Sequence, residues 1–575
     1  IINTKKYDKP VFLKVNYTGF QDYYEEQKGL TESKDFGKLY MLENVNALNE
    51  VVIKTEAPPI TIKKDTLEFN AGSYKVRPDA NVEALLKQLP GFDVDNTGKI
   101  TVNGREVNQF LVNGKTFFDK DGAIAIKNLP ADIIKKIQVS DFKTKKEELA
   151  KQESTSDYST VNITIDEKKN KGYFGKVLGG YGSDERYESS LMMNFFKNKQ
   201  KISVLASSNN INSTGFSMDE VFDNMGGGRN ARGGNQGAGG GGKGITQSTL
   251  AGINYSDDWT KDLEFMSSYN FTNSVTKNDS KSNQVSFLPT GNIVTESDSK
   301  NRNENTGNNV NFELEYKIDP TMRIVVAPKL NQSQSNSNLF SSSSSENENG
   351  ELLNESSGTS HTEGSNTNFA NSINFNKVFE KKSRNLSVVF NNNNTKNDSS
   401  GINISETIFY QDGKPNDERN QNAKNTSKSD TYLIDVEYTE PITDSLRVRF
   451  GTDFNWQNSV NDQKTFDFDE TAQEYSDLNL SLTNYTTSKQ NSISPKVGIS
   501  WQKSKFSLNV NSKTSIVEFD NHSFYLNQAT DLNKRYALPY GNAQFRYKFN
   551  RSKNLTFKYD YSNALPSATQ LMPVV

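Results

Sequence analysis

The chain has 575 residues, with 67 Lys and Arg against 70 Asp and Glu, and a formal net charge of −3. This near-balance, with basic residues scattered along the chain, gives no electrostatic argument for nucleic-acid binding. Cysteine is absent and only two histidines are present, His361 and His522, which argues against thiolate metal sites, cysteine nucleophiles and histidine clusters. The sequence therefore predicts neither an enzyme nor a bound cofactor or metal. No run approaches the roughly 18 apolar residues of a membrane helix.

The composition combines a low apolar content with many aromatic residues. Only 33% of the chain is hydrophobic, yet 11% is aromatic, with 24 Tyr and 34 Phe. Low apolar content alone favours disorder, whereas strands with one apolar face joined by polar loops account for both values. A transmembrane β-barrel has this composition. The chain starts at Ile1 without a signal-peptide pattern, so we expect that a signal peptide has been removed or is not included in this sequence.

Residues 1–45 contain a small strand pattern. Residues 12–17 and 21–25 predict two strands around a turn, and residues 39–42 are a further candidate. This segment holds too little apolar surface for an independent core. We interpret it as the C-terminal part of a β-sandwich that begins upstream.

Residues 46–165 predict a compact α/β domain. Asn81 can cap a short helix that Pro90 and Gly91 terminate. Two Asn-Gly pairs, at 103–104 and 113–114, predict type I′ hairpins. Pro130 is predicted to open a second helix that carries Ile133, Ile134 and Ile137.

From residue 166 to the end, apolar and polar residues alternate in strands of roughly ten residues. An example is the run from Val310 to Ile318. Short connections such as 319–321 alternate with long ones, which are predicted at about 212–246, 273–307, 332–365, 391–430 and 458–488. Short turns on one side and long loops on the other are typical of outer-membrane barrels. The serine run 341–345 is predicted to lie in one of these loops.

Aromatic residues gather where the predicted strands meet the short turns, which fits an interfacial girdle. The positions between the apolar residues face the lumen, and several of them are charged: Glu313, Glu315, Arg323, Asp435, Glu437, Arg447 and Arg449. These side chains could contact a domain inside the barrel or a substrate, and a solvated lumen explains them equally well. About fifteen strands are predicted, with no closing strand, so we expect further C-terminal strands in a longer protein.

The middle domain resembles the plug of TonB-dependent outer-membrane receptors. The resemblance rests on Arg77-Pro78-Asp79-Ala80, Leu89-Pro90-Gly91, Val102-Asn103-Gly104-Arg105, Val112-Asn113-Gly114 and the segment 129–139, where the family has a helix followed by a strand. The subgroup with an N-terminal carboxypeptidase-regulatory-like domain is the most similar, and residues 1–45 would close that domain. The Gly-rich segment 226–244 and the segment 565–573 also resemble this subgroup's barrel.

The resemblance implies a mainly β fold: a transmembrane antiparallel barrel of about 22 strands, of which about 15 are present, with a small α/β plug in the lumen. It places the protein in the outer membrane of a Gram-negative bacterium, in contact with lipid and lipopolysaccharide. It also implies a TonB box, a segment that binds the periplasmic energy transducer TonB by strand addition. The matching residues are Glu50, Val51, Val52 and Ile53; an ordinary β-rich linker is the alternative interpretation. The Arg-Gly-Pro step usual in the family after the strand of segment 129–139 is absent, and residues 140–143 stand in its place.

Three functions remain open at this stage. The first is a TonB-dependent receptor that binds a substrate at its outer loops and plug and imports it. The second is a non-transporting barrel that serves as a structural or assembly subunit of a larger outer-membrane complex, with a surface lipoprotein or other subunits as partners. The third is a secreted β-rich adhesin, against which the single apolar face of each strand argues.

Overall fold

In the computed structural model the chain divides into two compact units, Ile1–Ala57 and Pro58–Val575. The structure describes residues 4–43, 58–63, 66–78, 80–95, 99–116, 126, 129–150, 152, 154, 156–166, 171–197, 199–212, 244–289, 291–411, 413–503, 505–549 and 553–564. The predicted TonB box, the Gly-rich segment before residue 244 and the segment 565–573 lie outside these ranges.

The first unit contains one hairpin. Strands β1 (Val11–Val15) and β2 (Tyr23–Gln27) pair antiparallel, as predicted. No strand forms at 39–42, where the chain makes a single bridge from Phe20 to Glu43. No side chain of residues 4–43 is buried, so these residues hold no core of their own.

The described residues between 58 and 166 form a second sheet with short helices, and we call this domain the plug. Its strands are β3 (Ile60–Ile62), β4 (Thr66–Asn70), β5 (Phe92–Val94), β6 (Ile100–Val102), β7 (Arg105–Val112), β8 (Lys115–Thr116), β9 (Ile134–Asp141) and β10 (Ser159–Ile165). Its helices are α1 (Val82–Leu86) and α2 (Lys145–Leu149). The strand order is β3-β4-β9-β10-β7-β6-β5, with β8 beside β7 and only the β7–β10 pair parallel among the pairs described.

Local sequence signals account for several of these elements. The Asn81 side chain accepts a hydrogen bond from the Ala84 amide and caps α1. Asn103 and Asn113 have φ of 51° and 53°, each followed by a glycine with positive φ, which is the type I′ geometry predicted for both turns.

The predicted helix after Pro130 is wrong. Only a single 3₁₀ turn forms, Ala131–Ile133, and Ile134 then begins strand β9. Strand β9 pairs on one side with β4 and on the other with β10. Paired on both sides, the β-branched residues Ile134 and Ile137 are buried in the sheet, so tertiary pairing overrides the helical spacing.

Residues 171–561 form one large antiparallel sheet, which we call the wall. Its strands are β11 (Lys171–Tyr181), β12 (Tyr187–Lys197), β13 (Gln200–Asn209), β14 (Ile245–Asp258), β15 (Leu263–Ser286), β16 (Ile293–Asp319), β17 (Met322–Asn347), β18 (Leu352–Val378), β19 (Asn385–Phe409), β20 (Asp417–Pro441), β21 (Leu446–Asp469), β22 (Glu474–Leu478), β23 (Asn484–Lys503), β24 (Phe506–Tyr525), β25 (Gln528–Lys548) and β26 (Asn554–Tyr561). Each strand pairs with the next, except that β22 lies beside β21, which also pairs with β23. Among the described residues β11 and β26 are the two edges.

The wall strands are longer than predicted. Strands β15 to β21 have 24 to 27 residues, so most of each predicted long loop from 273 onwards continues the hairpin. The serine run 341–345 lies within β17 and not in a loop. At about 3.3 Å per residue such a strand is roughly 85 Å long, whereas an outer-membrane apolar band is about 25 Å tall.

The predicted alternation of faces is confirmed. On β16, Phe312 and Tyr316 are exposed on one face, whereas Glu315 on the other face is only 5% exposed and contacts the plug. Most aromatic residues at the short turns, among them Trp259, Phe379 and Phe549, are exposed, and Phe379 packs against Tyr438, whereas Phe196 is buried. The wall is therefore a transmembrane antiparallel β-barrel wall with an apolar outer band, and the plug lies on its inner face. Among the described residues, no helix has the length and apolar character needed to cross a membrane.

Candidate functional site: the interface between plug and wall

Helix α2 carries the charges through which the plug meets the wall. Thr144 and Glu147 form a capping box: the Thr144 hydroxyl accepts from the Glu147 amide, and the Glu147 carboxylate accepts from the Thr144 amide. These paired bonds hold a helix of only five residues. The next turn presents Lys145, Lys146 and Glu148.

Three ion pairs connect α2 with three wall strands. Lys145 Nζ lies 2.8 Å from Glu315 Oε2 on β16, and Glu148 Oε2 lies 3.2 Å from Arg323 Nη1 on β17. Lys146 pairs with Glu437 on β20. We refer to these three contacts as the α2 ion pairs. In each pair the two charges are opposite: the two lysines of the helix contact glutamates of the wall, and Glu148 of the helix contacts an arginine of the wall.

The wall partners of α2 are buried, which makes the pairing necessary. Glu315 and Arg323 are almost fully buried, and they also pair with each other at 3.2 Å. A buried charge that loses its partner is strongly destabilising, by about 3–5 kcal/mol. Burial alone would lower the pKa of Lys145, but the carboxylates of Glu315, Glu148 and Glu313 together outweigh that effect and raise the pKa above its usual value.

A second contact region joins the plug to strands β12 to β14. The plug's buried core, around Phe69, Phe110 and Ile163, is continuous with four inward-facing wall residues: Met192, Phe196, Leu205 and Leu250. Lys201 on β13 donates from Nζ to the Val112 carbonyl of the plug. Lys115 of the plug pairs with Asp258 at the end of β14. This side of the interface is therefore mainly apolar, with few charges.

A third contact lies at the other end of the wall. Asp157 of the plug pairs with Arg546 on β25 and Lys558 on β26. Gln544 Nε2 donates to the same carboxylate at 3.0 Å. Because one small domain contacts strands from β13 to β26, the wall must curve around it.

A cavity lies between the plug and the inner face of the wall, beside α2 and along wall strands from β15 to β26. It has a volume of about 2460 Å³, and both surfaces contribute to its lining. Lining residues from the plug include Lys145 and Glu148, and those from the wall include Glu313, Asn376 and Arg447. Few apolar contacts would have to break for the plug to move away from this side.

Of the seven inward-facing charges predicted from the sequence, three contact the plug, three pair within the wall and one lines the cavity. Glu315, Arg323 and Glu437 contact the plug. This agrees with the expectation that inward charges contact a domain inside the barrel. The others pair within the wall: Asp435 with Lys496, Arg447 with Gln502 and Arg449 with Asn511. Glu313 lines the cavity.

The plug partners of these charges were missed by the sequence reasoning. Lys145, Lys146 and Glu148 lie near the C-terminal end of the predicted domain 46–165, where the sequence predicts no contact with the barrel. The Thr144-x-x-Glu147 pattern is a capping-box signature and could have placed a helix start there. In the part of the chain that the structure describes, no group of His, Asp and Glu side chains is arranged to hold a metal ion.

Comparison with known protein families gives one match. Residues 377–575 match the outer membrane protein beta-barrel family. No curated protein matches the sequence.

Solved structures that resemble the chain are outer-membrane receptors. The closed form of the ferric-catecholate import receptor Fiu from Escherichia coli K12 is 10% identical, with a TM-score of 0.34, over 87% of this chain and 81% of that chain. The ferric yersiniabactin uptake receptor FyuA from Yersinia pestis is 10% identical, with a TM-score of 0.32, over 88% and 79%. The siderophore receptor PiuA from Acinetobacter baumannii is 12% identical, with a TM-score of 0.32, over 81% and 70%.

Superpositions with TM-scores below 0.5 say nothing on their own about a shared function. The family match and the observed wall, with its apolar outer face and its plugged lumen, are independent of them. Together, the family match and the wall identify the chain as a β-barrel protein of the outer membrane of a Gram-negative bacterium.

Proposed function

We propose that the protein is a TonB-dependent receptor that imports a substrate when its plug moves away from the wall. The observation that carries the proposal is the asymmetry of the plug–wall interface. On the side of β12 to β14 the contact is mainly apolar, while on the side of β16 to β20 it consists of the α2 ion pairs beside a large cavity.

This asymmetry suits a plug that opens on one side. Water can replace the partners of an ion pair, whereas it cannot replace apolar packing. The plug also has its own core, with Leu85, Leu86 and Phe110 fully buried, so it can shift without unfolding as a whole. The path of the substrate would run through the cavity beside α2.

TonB would supply the force by strand addition at Glu50, Val51, Val52 and Ile53. Strand addition depends on main-chain hydrogen bonds, and proline removes a main-chain donor. We expect Val51→Pro with Ile53→Pro to abolish binding of the periplasmic domain of TonB to the purified full chain. Alanine at the same two positions keeps both donors and should weaken binding only slightly. Equal binding by both variants would reject this segment as the TonB box.

Plug movement can be tested without knowing the substrate. Val325 lies on the inner face of β17, buried at the edge of the cavity. The chain has no cysteine, so Val325→Cys provides a single thiol. In energised cells we expect a sulfonated maleimide to label this thiol faster than in cells treated with an uncoupler, because opening exposes the inner face of β17.

Asn349→Cys, in the exposed connection after β17, is the matched control and should be labelled equally in both conditions. Equal labelling of Val325→Cys with and without energy would overturn the proposal. A non-transporting subunit of a larger complex would then be favoured, for which the 24- to 27-residue strands provide a large projecting surface. Copurification of stoichiometric partners from the native membrane would support that alternative.

A further inference from the structure

Beyond the plug, the inner face of the wall carries an unusual set of side chains. The inward face is the one that holds Glu315, and every second residue of a strand shares a face. Six residues further along β16, roughly 20 Å from the α2 ion pairs, this face presents Asn309. Asn309 pairs in register with Asn270 on β15 and with Asn331 on β17. Asn331 in turn pairs with Asn368 on β18.

The same row continues across the next five strands of the path. Register places Thr395, Ser429, Ser459, Ser488 and Asn521 side by side on β19, β20, β21, β23 and β24. Nine consecutive strands therefore present an amide or a hydroxyl at one level of the inner face. Asn368 Nδ2 donates to Thr395 Oγ1 at 2.7 Å, which links two neighbours of the row.

The next two rows away from the plug have the same chemistry. On these nine strands they contain only Asn, Ser, Thr, Gln and Gly, together with Tyr525. All positions of the three rows lie within the described residues, and none is Asp, Glu, Lys, Arg or His. We call these three rows the neutral vestibule.

The neutrality belongs to this face and not to the segment as a whole. Lys396 and Asp398 on β19, and Lys428 and Asp430 on β20, lie at the same levels but on the outer face. Lys396 pairs there with Asp398. The charges of these strands are thus kept out of the lumen.

Several amides of the neutral vestibule have hydrogen-bonding capacity that the protein does not use. Asn309 is 1% exposed and Asn521 is 0% exposed, yet neither the oxygen nor the nitrogen of either amide has a partner. The Oδ1 atoms of Asn331, Asn425 and Asn484 are also unpaired. A buried polar group without a partner costs about 1–3 kcal/mol, so a ligand hydroxyl that reaches these amides removes a cost already present in the wall.

From this arrangement we propose that the substrate is a neutral oligosaccharide. Each amide offers one acceptor and two donors, and each hydroxyl both donates and accepts, which matches a chain of uncharged hydroxyl groups. An anionic iron chelate would find no counter-charge within the three rows of the neutral vestibule, and a peptide would find there neither charges nor apolar pockets for its side chains. The substrate class rests on the proposed receptor function, but binding to the vestibule requires neither TonB nor plug movement.

The test is binding to the purified full chain in detergent, which can succeed or fail independently of transport. The probes are fluorescently labelled glucan heptamers with α-1,4, β-1,3 and β-1,4 linkages, a uronate heptamer and a glucosamine heptamer. We expect at least one neutral glucan to bind at least tenfold more tightly than both charged heptamers, as measured by equilibrium dialysis.

Matched variants locate the binding surface. Asn309→Ala with Asn331→Ala removes two inward amides, and Asn308→Ala with Gln332→Ala removes their outward neighbours on the same strands. The inward pair should weaken glucan binding at least tenfold, and the outward pair should leave it unchanged, with circular dichroism confirming that both variants fold. The proposal is overturned if no neutral glucan binds, if a charged heptamer binds as tightly, or if the two pairs of substitutions behave alike.

Discussion

Glu68 shows how the plug holds a buried charge at the scale of one residue. It lies on β4 and is 6% exposed, and its carboxylate accepts from Lys136 at 2.5 Å and from Gln138 and Lys63 at 2.9 Å. These donors, Lys136 foremost, lower its pKa from 4.5 to about 2. A carboxylate so well supplied with donors contributes to the stability of the plug at neutral pH.

The pH dependence of this contribution follows from the direction of the shift. Because the pKa of Glu68 is lower in the folded state, its stabilising effect is complete above pH 4.5 and is lost as the pH falls towards 2. We expect hydrogen exchange at β4 and β9 to accelerate over that range, after correction for intrinsic rates. Glu68→Gln should destabilise these strands by about 2 kcal/mol at pH 7 and abolish the acid response.

Glu83→Gln is the matched control for Glu68. Glu83 pairs with Lys87 at 2.6 Å on the surface of α1, and an exposed pair of this kind contributes only about 0.3–0.5 kcal/mol. Its loss should therefore leave the exchange of β4 and β9 unchanged. An acid response that persists in Glu68→Gln would show that another group is responsible.

At the scale of the element, α2 is a five-residue helix that carries three ion pairs to the wall. A five-residue helix is not stable by itself in water, so its capping box and its ion pairs must hold it together. The cap fixes the direction in which Lys145 and Lys146 point, and their wall partners Glu315 and Glu437 hold the helix in place. Loss of the capping box should therefore weaken the ion pairs, and loss of the ion pairs should destabilise the helix.

Thr144→Ala tests this dependence. It removes the hydroxyl that accepts from the Glu147 amide and should cost about 1 kcal/mol. We expect faster hydrogen exchange across Lys145–Leu149, with unchanged exchange in β10. Thr144→Ser keeps the acceptor and should restore the exchange rate of the parent. If serine and alanine behave alike, the cap does not hold this helix.

At the scale of the whole molecule, the strand lengths predict which parts lie outside the membrane. The short turns stay close to the apolar band, whereas the far ends of β15 to β21 reach well beyond it. The plug contacts the wall near the short turns, as Gln152 does at Ser383. By the topology of outer-membrane barrels, the short turns face the periplasm.

Single cysteines in this cysteine-free chain can check the orientation. We expect Asn349→Cys, in the connection between β17 and β18, to react on intact cells with a maleimide that does not cross membranes. Lys261→Cys, in the short connection between β14 and β15, should react only after the outer membrane is permeabilised. Both positions are exposed, so burial does not limit their labelling. The opposite labelling pattern would show that the short turns face the outside of the cell.

Local sequence signals predicted the elements whose cause is local. The cap at Asn81 and the two Asn-Gly turns appear as expected, because a short polar side chain or a positive φ acts within a few residues. The period-two alternation likewise predicted the outer and inner faces of the wall, since a strand's two faces follow from its own geometry.

Long-range pairing decided the rest. The serine run 341–345 has no apolar alternation, which predicts a loop, yet it is a strand, because its backbone pairs with β16 and β18. Ile134 joined a strand for the same reason. Inward charges such as Glu315 and Asp435 look alike in the sequence, and only the position of α2 determines which of them meets the plug. The sequence by itself determined the alternating faces of a barrel wall, because periodicity is local, and the plug followed from a family resemblance. The tertiary structure decided the ion pairs and the neutral vestibule, because register brings together residues far apart in the chain.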